Sequence, residues 1–306
     1  MDEQYQIPVA VIVFNRIELA KKLLHCLEKV KPRKLFVISD GARAGRLEEA
    51  EKTAAVRYLF EKVSWPCEVQ RNYAEKNMGC DVRIPTGLNW VFEQVEEAVI
   101  LEDDCIPSMQ FFAYAEQMLA RYREDSKVMM IAGSNHVQRY KVPASCFFTA
   151  RVYTWGWATW RRAWERYCDD RTVWDQIQRD GTFAKVYPLR TRYYVKKELN
   201  YYFARGKCPW DYLWWISCMG VGGLCAVPKV NLITNEGFGE DATHTQNRGD
   251  YQGDVFPLEF PLTYPDTVER DFKYDRYDRG LNPLPKFIRA YRKLKRMFLR
   301  TFRINL

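Results

Sequence analysis

Residues 98–104 read Ala-Val-Ile-Leu-Glu-Asp-Asp, and this stretch constrains the fold more than any other. Four apolar residues in unbroken succession suit a strand buried on both faces of a parallel sheet. Glu102, Asp103 and Asp104 then place three mutually repelling carboxylates at the strand's carboxyl tip, where open α/β sheets bind ligands. Hard oxygen donors suit Mg2+ or Mn2+, and such ions are usually shared with substrate phosphates. The competing reading is an acidic turn that caps the next helix, since Pro107 and Ser108 follow.

The flanking chain alternates strands with amphipathic helices. Pro8–Phe14 is a buried strand ending at Asn15-Arg16. A helix over 17–30 carries Leu19, Leu23, Leu24 and Leu27 on one stripe. Lys34–Ser39 is a second strand ending at Asp40-Gly41, and a helix spans 47–62. Residues 67–72 form a weaker strand, and Asn77-Met78-Gly79 turns into a helix that continues to about residue 97. After the acidic strand, a helix over 109–122 leads to a strand over 127–132. The alternation predicts an α/β fold, with a mainly parallel sheet covered by helices on both faces. Asn15, Arg16, Asp40 and the carboxylate triplet then share one rim. Beyond residue 135 the pattern weakens into aromatic-rich short elements laid against the first half. Residues 226–233 are one more candidate strand, 257–265 are loop-like, and 271–285 read as a linker by composition.

Composition narrows the class. A chain of 306 residues that is 47% hydrophobic and 15% aromatic is folded, not disordered. Nine cysteines with no CxxC and no paired His/Cys set argue against zinc and fit reduced, buried thiols. No signal peptide and no apolar run near 18 residues is evident, so a cytoplasmic location is expected. The net charge of +8 is matched by the eight cations of residues 286–306, which include no acid. The globular part is therefore neutral, and no nucleic-acid partner is expected.

Two further segments carry chemistry. In Pro209-Trp210-Asp211-Tyr212, Asp211 falls in the first turn of a helix, either as a cap or as a general base at an aromatic pocket wall. In residues 231–245, Gly237 and Gly239 make a mobile loop ending at His244. A neutral imidazole there is an additional ligand for Mn2+ held by a carboxylate, and the alternative is an ordinary loop histidine. Arg83, near the start of the third helix, is either a phosphate partner or a solvated helix residue.

In their order, these pieces resemble the metal-dependent glycosyltransferases of GT-A fold, most closely bacterial relatives of the N-acetylglucosaminyltransferase I family. The resemblance covers about residues 7–245. It rests on Asn15-Arg16 after the first strand, Asp40 after the second, Glu102-Asp103-Asp104, Gly156-Trp157, Trp210-Asp211, and Pro228 with Gly237 and His244. It implies that Asn15, Arg16 and Asp40 contact the uridine of a UDP-sugar. It also implies that Asp104 holds the metal and Asp211 is the base. Glu102 and Asp103 then bind ribose or an ordered water, and His244 joins the metal. One departure is visible: Tyr212 stands where the family has a second Asp. The implied activity is transfer of a sugar, with inversion, from a nucleoside-diphosphate donor to a glycan or lipid-linked saccharide.

On that reading, residues 1–135 are the nucleotide-sugar half of the domain and 136–265 the acceptor half. Residues 266–306 are a linker and a basic amphipathic tail. Phe287, Tyr291, Leu294, Phe298 and Phe302 recur at helical spacing among the tail's cations. This predicts an anionic membrane surface as partner and a place on the inner face of the cell membrane. The alternative is a helix packed on the domain. Two other functions compete. A sugar nucleotidyltransferase would open with a glycine-rich loop, yet no glycine lies between Phe14 and Gly41. A non-catalytic sugar-binding protein would keep the fold and use its aromatics.

Overall fold

A computed structural model describes residues 4–137, 140–187, 189–237 and 253–277. In chain order the elements are β1 (Val9–Val13), α1 (Ile17–Val30), β2 (Lys34–Ser39), α2 (Leu47–Leu59), β3 (Glu68–Tyr73), α3 (Cys80–Phe92), β4 (Glu97–Glu102), β5 (Cys105–Pro107) and α4 (Met109–Tyr122). There follow β6 (Val128–Ala132), β7 (Cys146–Thr149), β8 (Trp157–Trp160), α5 (Arg161–Trp164), α6 (Thr172–Arg179), α7 (Thr182–Val186), α8 (Leu189–Ala204), α9 (Trp210–Gly220), β9 (Leu224–Pro228), β10 (Ile233–Asn235) and α10 (Phe272–Tyr277).

Eight strands form one sheet in the order β3-β2-β1-β4-β8-β6-β9-β7. β1 pairs in parallel with β2 and β4, β2 with β3, and β6 with β9, whereas β8 runs against both β4 and β6, and β7 against β9. The expected α/β class with a mainly parallel sheet is therefore what the chain forms. The central strands are continuous apolar runs because both faces are covered: Val9, Ala10 and Val11 of β1 and Ala98 to Leu101 of β4 are fully buried. Helix α1 packs against α2 and α4, and α3 packs against α5 and α9.

Several expectations are corrected. The third helix ends at Phe92, because Glu97 already opens β4. The candidate strand over 226–233 divides: β9 joins the large sheet, while β10 pairs antiparallel with β5 in a separate two-stranded ribbon. The second half does not merely lie against the first. β8 inserts beside β4 and continues its sheet, with Ala98 opposite Thr159. Residues 270–275 are also more than a linker. Tyr274 is fully buried, Asp275 pairs with Arg270, and the Thr149 hydroxyl donates to Asp275 at 2.5 Å. The basic tail at 286–306 lies outside the described residues. Among the described residues, no helix is long and apolar enough to cross a membrane.

Candidate active site

The parallel register aligns the carboxyl ends of the first four strands. Ile12 sits opposite Glu102, Val13 opposite Ser39, and Ser39 opposite Tyr73. Residues just beyond these positions therefore share a rim, which brings Asn15, Arg16, Asp40 and the acidic triplet to one end of the sheet. The β1–β4 ladder extends past its last paired residues, since the Asp103 N–H donates to Ile12 O at 3.0 Å.

Arg16, at the N-terminus of α1, turns onto the triplet. Its Nη1 donates to Asp104 Oδ2 at 2.8 Å, and its Nη2 lies 2.6 Å from Asp103 Oδ1. Burial works against the Arg16 charge, but Asp103 and then Asp104 outweigh it and raise its pKa. Asp103 is almost wholly buried. Burial drives its pKa up to about 7, with Arg16 pulling against that shift and Asp104 adding to it. Glu102 is raised well above the usual carboxylate range, by burial first and then by the charges of Asp104 and Asp103; Asp211 adds to the shift. Asp211 stands in the first turn of α9. A low-dielectric site holding several carboxylates and one arginine attracts further positive charge.

A second segment reaches Asp104 from far along the chain. The β5–β10 ribbon pairs Cys105 with Asn235, so the following residues run beside the triplet. The Glu236 N–H donates to Asp104 O at 2.8 Å, and Lys22 of α1 pairs with the Glu236 carboxylate. Gly237 packs directly on Asp104: a Cβ there would lie 2.2 Å from Oδ2. A larger residue there would have to displace the Asp104 carboxylate or the chain at 237. Gly239 and His244, expected at the end of the same loop, lie outside the described residues.

The remaining rim residues divide. Asp40 is buried and anchors the Asn77–Gly79 turn. Its Oδ1 accepts from Gly41 N (2.8 Å) and Met78 N (2.9 Å), and its Oδ2 from Gly79 N (2.9 Å) and Asn77 Nδ2 (3.0 Å). Asn15 Nδ2 reaches Glu49 of α2 at 3.4 Å. Arg83 is not brought to the triplet. It is buried, and its donors go to Ser39 O, Asn72 O and Asn72 Oδ1, so it ties together the ends of β2 and β3.

Sequence reasoning missed Asp81. Its Oδ1 accepts from Trp210 N at 3.3 Å, which joins the start of α3 to the start of α9 one residue before Asp211. Behind this junction Trp157, Trp164, Trp210 and Trp214 form a buried cluster, with ring centroids 6.1–6.2 Å from Trp157. Gly156, at φ +59, turns the chain into β8 against Ile233. The only sequence sign of the Asp81 link is an acid in a helix's first turn, which is commonplace.

The donor chemistry fits a divalent cation. The carboxylates are hard oxygen ligands, and the Arg16 guanidinium already stands on Asp103 and Asp104 as positive charge. Among the described residues, no group of three or more His, Cys, Asp or Glu side chains is arranged to hold a metal alone. A cation here would be completed by ligand oxygens, as is common for Mg2+ and Mn2+ at phosphates.

No protein-family model matches the chain, and no curated protein does. Solved structures do. The mannosyltransferase PcManGT from Pyrobaculum calidifontis, in complex with GDP-Man and Mn2+, is similar over 55% of this chain and 49% of its own, at 17% identity and TM-score 0.39. A UDP-glucose pyrophosphorylase complexed with UDP-glucose is similar over 48% of this chain and 64% of its own, at 12% identity and TM-score 0.27. A protein described as a glucose-1-phosphate thymidylyltransferase from Bacillus anthracis, in complex with sucrose, is similar over 66% of this chain and 85% of its own, at 12% identity and TM-score 0.31. The match thus spans about half the length of the mannosyltransferase and less than two thirds of the pyrophosphorylase.

Proposed function

We propose that the protein is a glycosyltransferase of GT-A type that uses Mn2+ or Mg2+ and a nucleoside-diphosphate sugar, with UDP-sugar as the expected donor. The observation that carries the reading is the convergence on Asp104. The acidic triplet at the tip of β4, Arg16 from the end of β1 and the Gly237 backbone meet there, and Asp211 adds to the shift at Glu102.

Asp104 holds the cation in this scheme, with His244 as a further ligand. The cation supplies Lewis-acid stabilisation of the diphosphate leaving group. Arg16, released from the triplet, faces the donor phosphates or base together with Asn15. Asp40 sets the turn at Asn77–Gly79 that borders the nucleotide. Glu102 and Asp103 bind the ribose or an ordered water. Asp211 accepts the proton of an acceptor hydroxyl as that oxygen bonds to the anomeric carbon and the diphosphate departs. The transition state has oxocarbenium character. A single base with a single displacement inverts the anomeric centre. On this reading the loop carrying Gly237, Gly239 and His244 covers the donor diphosphate, which limits donor hydrolysis. The acceptor class is a glycan or lipid-linked saccharide, with the basic tail at 286–306 on an anionic membrane surface.

A panel of sugar nucleotides tested with Mn2+ for thermal stabilisation and slow donor hydrolysis identifies the donor. Asp211→Asn is expected to retain donor binding and to lower kcat by about 10²- to 10⁴-fold, the range of general-base contributions. Turnover near wild type with donor bound would remove Asp211 from the role.

A further inference from the structure

Helix α8 carries an exposed surface that the proposed transfer chemistry does not use. Its inner side is fixed: Thr191, Val195 and Leu199 are buried, and Val195 and Leu199 join a core with Trp174, Trp215, Ile216 and Met219. At about 100° per residue, positions 189, 193, 196, 197, 200, 201 and 204 fall within one arc of about 140°, and within it the half-buried Asn200 accepts from the Trp174 indole at 3.4 Å. That arc holds Leu189, Tyr193 and Tyr201, which are 77%, 65% and 51% exposed, together with the exposed Lys196 and Lys197. Just past the helix end, the Arg205 guanidinium lies 4.1 Å from the Tyr201 ring centroid, and Lys207 is exposed as well. The helix's one acid, Glu198, falls on the flank and accepts from the Tyr212 hydroxyl at 2.7 Å. The outer arc itself contains no acid.

We propose that α8 is a membrane-contact element whose outer face lies on an anionic lipid surface. Interleaved cations and large apolar side chains on one exposed helix face match the two demands of such a surface. Lysine and arginine are drawn to the headgroup charge, while tyrosine and leucine enter the headgroup–acyl boundary. The charge excludes two occupants from within the protein. A second copy would oppose this basic face with its own, and the tail at 286–306 carries eight cations and no acid. A nucleic acid would satisfy the cations but would leave Leu189 without reward. The opposite side of the helix packs beside the candidate site, where the Tyr202 ring lies tilted 5.3 Å from the Tyr212 ring of α9, next to Asp211. The inference stands independently of the sugar-transfer reading.

The test uses the full-length chain with vesicles of phosphatidylglycerol and phosphatidylcholine, or of phosphatidylcholine alone, at physiological salt. Co-sedimentation measures partition, and hydrogen exchange reports which peptides are protected. The expected result is protection of peptides covering 189–205 on the anionic vesicles only. Lys196→Glu with Lys197→Glu should weaken partition by about tenfold or more, given two charges reversed near the surface. Tyr193→Ser with Tyr201→Ser should weaken it several-fold with little salt dependence. Both variants alter exposed side chains, and an unchanged thermal midpoint confirms that they fold. Protection confined to 286–306, partition unaffected by either variant, or equal protection of 189–205 by single-stranded DNA would each overturn the proposal.

Discussion

Asp104 and Arg16 form the contact on which the site turns. One guanidinium spans two carboxylates, at 2.8 Å from Asp104 Oδ2 and 2.6 Å from Asp103 Oδ1. Such a pair persists at a partly buried rim because either charge alone would be costly there. A divalent cation reaching Asp104 competes with Arg16 for the same oxygen. Arg16→Ala is therefore expected to bind Mn2+ several-fold more tightly without nucleotide, while nucleoside-diphosphate affinity falls; titration calorimetry reads both, and weaker Mn2+ binding would contradict the competition. At this scale the sequence is informative where charge density is unusual. Three consecutive acids after an apolar run identify a strand tip, and Asn15-Arg16 marks another. It is silent on Asp81 and Glu236. Their partners, Trp210 and Lys22, are far away in the chain, and isolated acids in a first turn or a loop are too common to stand out. Arg83 was equally ambiguous, because nothing in its spacing tells a phosphate ligand from the buried clamp it forms on Ser39 and Asn72.

At the scale of elements, the β5–β10 ribbon is what delivers a distant loop to the triplet. It is only three residues long on each side, and a reading by period cannot separate it from β9, four residues upstream. The apolar run of β9 is followed closely by Leu232 and Ile233, and the break falls at Lys229–Leu232, where Asn231 turns the chain by donating to Ile233 O and Asp254 O. The glycine at 237 follows from this geometry. Gly237→Ala places a methyl against the Asp104 carboxylate and must displace either the loop or the carboxylate. The expected outcome is at least a tenfold loss of metal-dependent nucleotide binding with the thermal midpoint little changed, since Gly237 contributes no side chain to the apolar core. Unchanged binding would mean that the loop and Asp104 move independently.

For the whole molecule, the long periodic segments of the first half were readable, and the sheet they build follows from their alternation. The second half was not, because its strands are three to five residues long and find their neighbours by tertiary pairing. β8 enters between β4 and β6 against the parallel direction, and no local pattern announces that. The segment after residue 270 misled by composition. It is polar and rich in turn formers, yet Tyr274 is fully buried between Tyr140 and Phe147, at ring distances of 5.5 and 4.4 Å. Tyr274→Ala should cost about 3 kcal/mol of unfolding free energy, the low end for removing a buried aromatic ring, whereas a linker residue would cost almost nothing; denaturant titration distinguishes them. On the proposed function, the architecture holds one carboxylate where a cation and a diphosphate would meet. The most direct measurement is calorimetric binding of nucleoside diphosphates, with and without Mn2+, to the wild-type chain and to Asp104→Ala. Binding that needs Mn2+ and disappears in the variant is the predicted result. Binding that is indifferent to the metal, or intact in Asp104→Ala, would contradict the account.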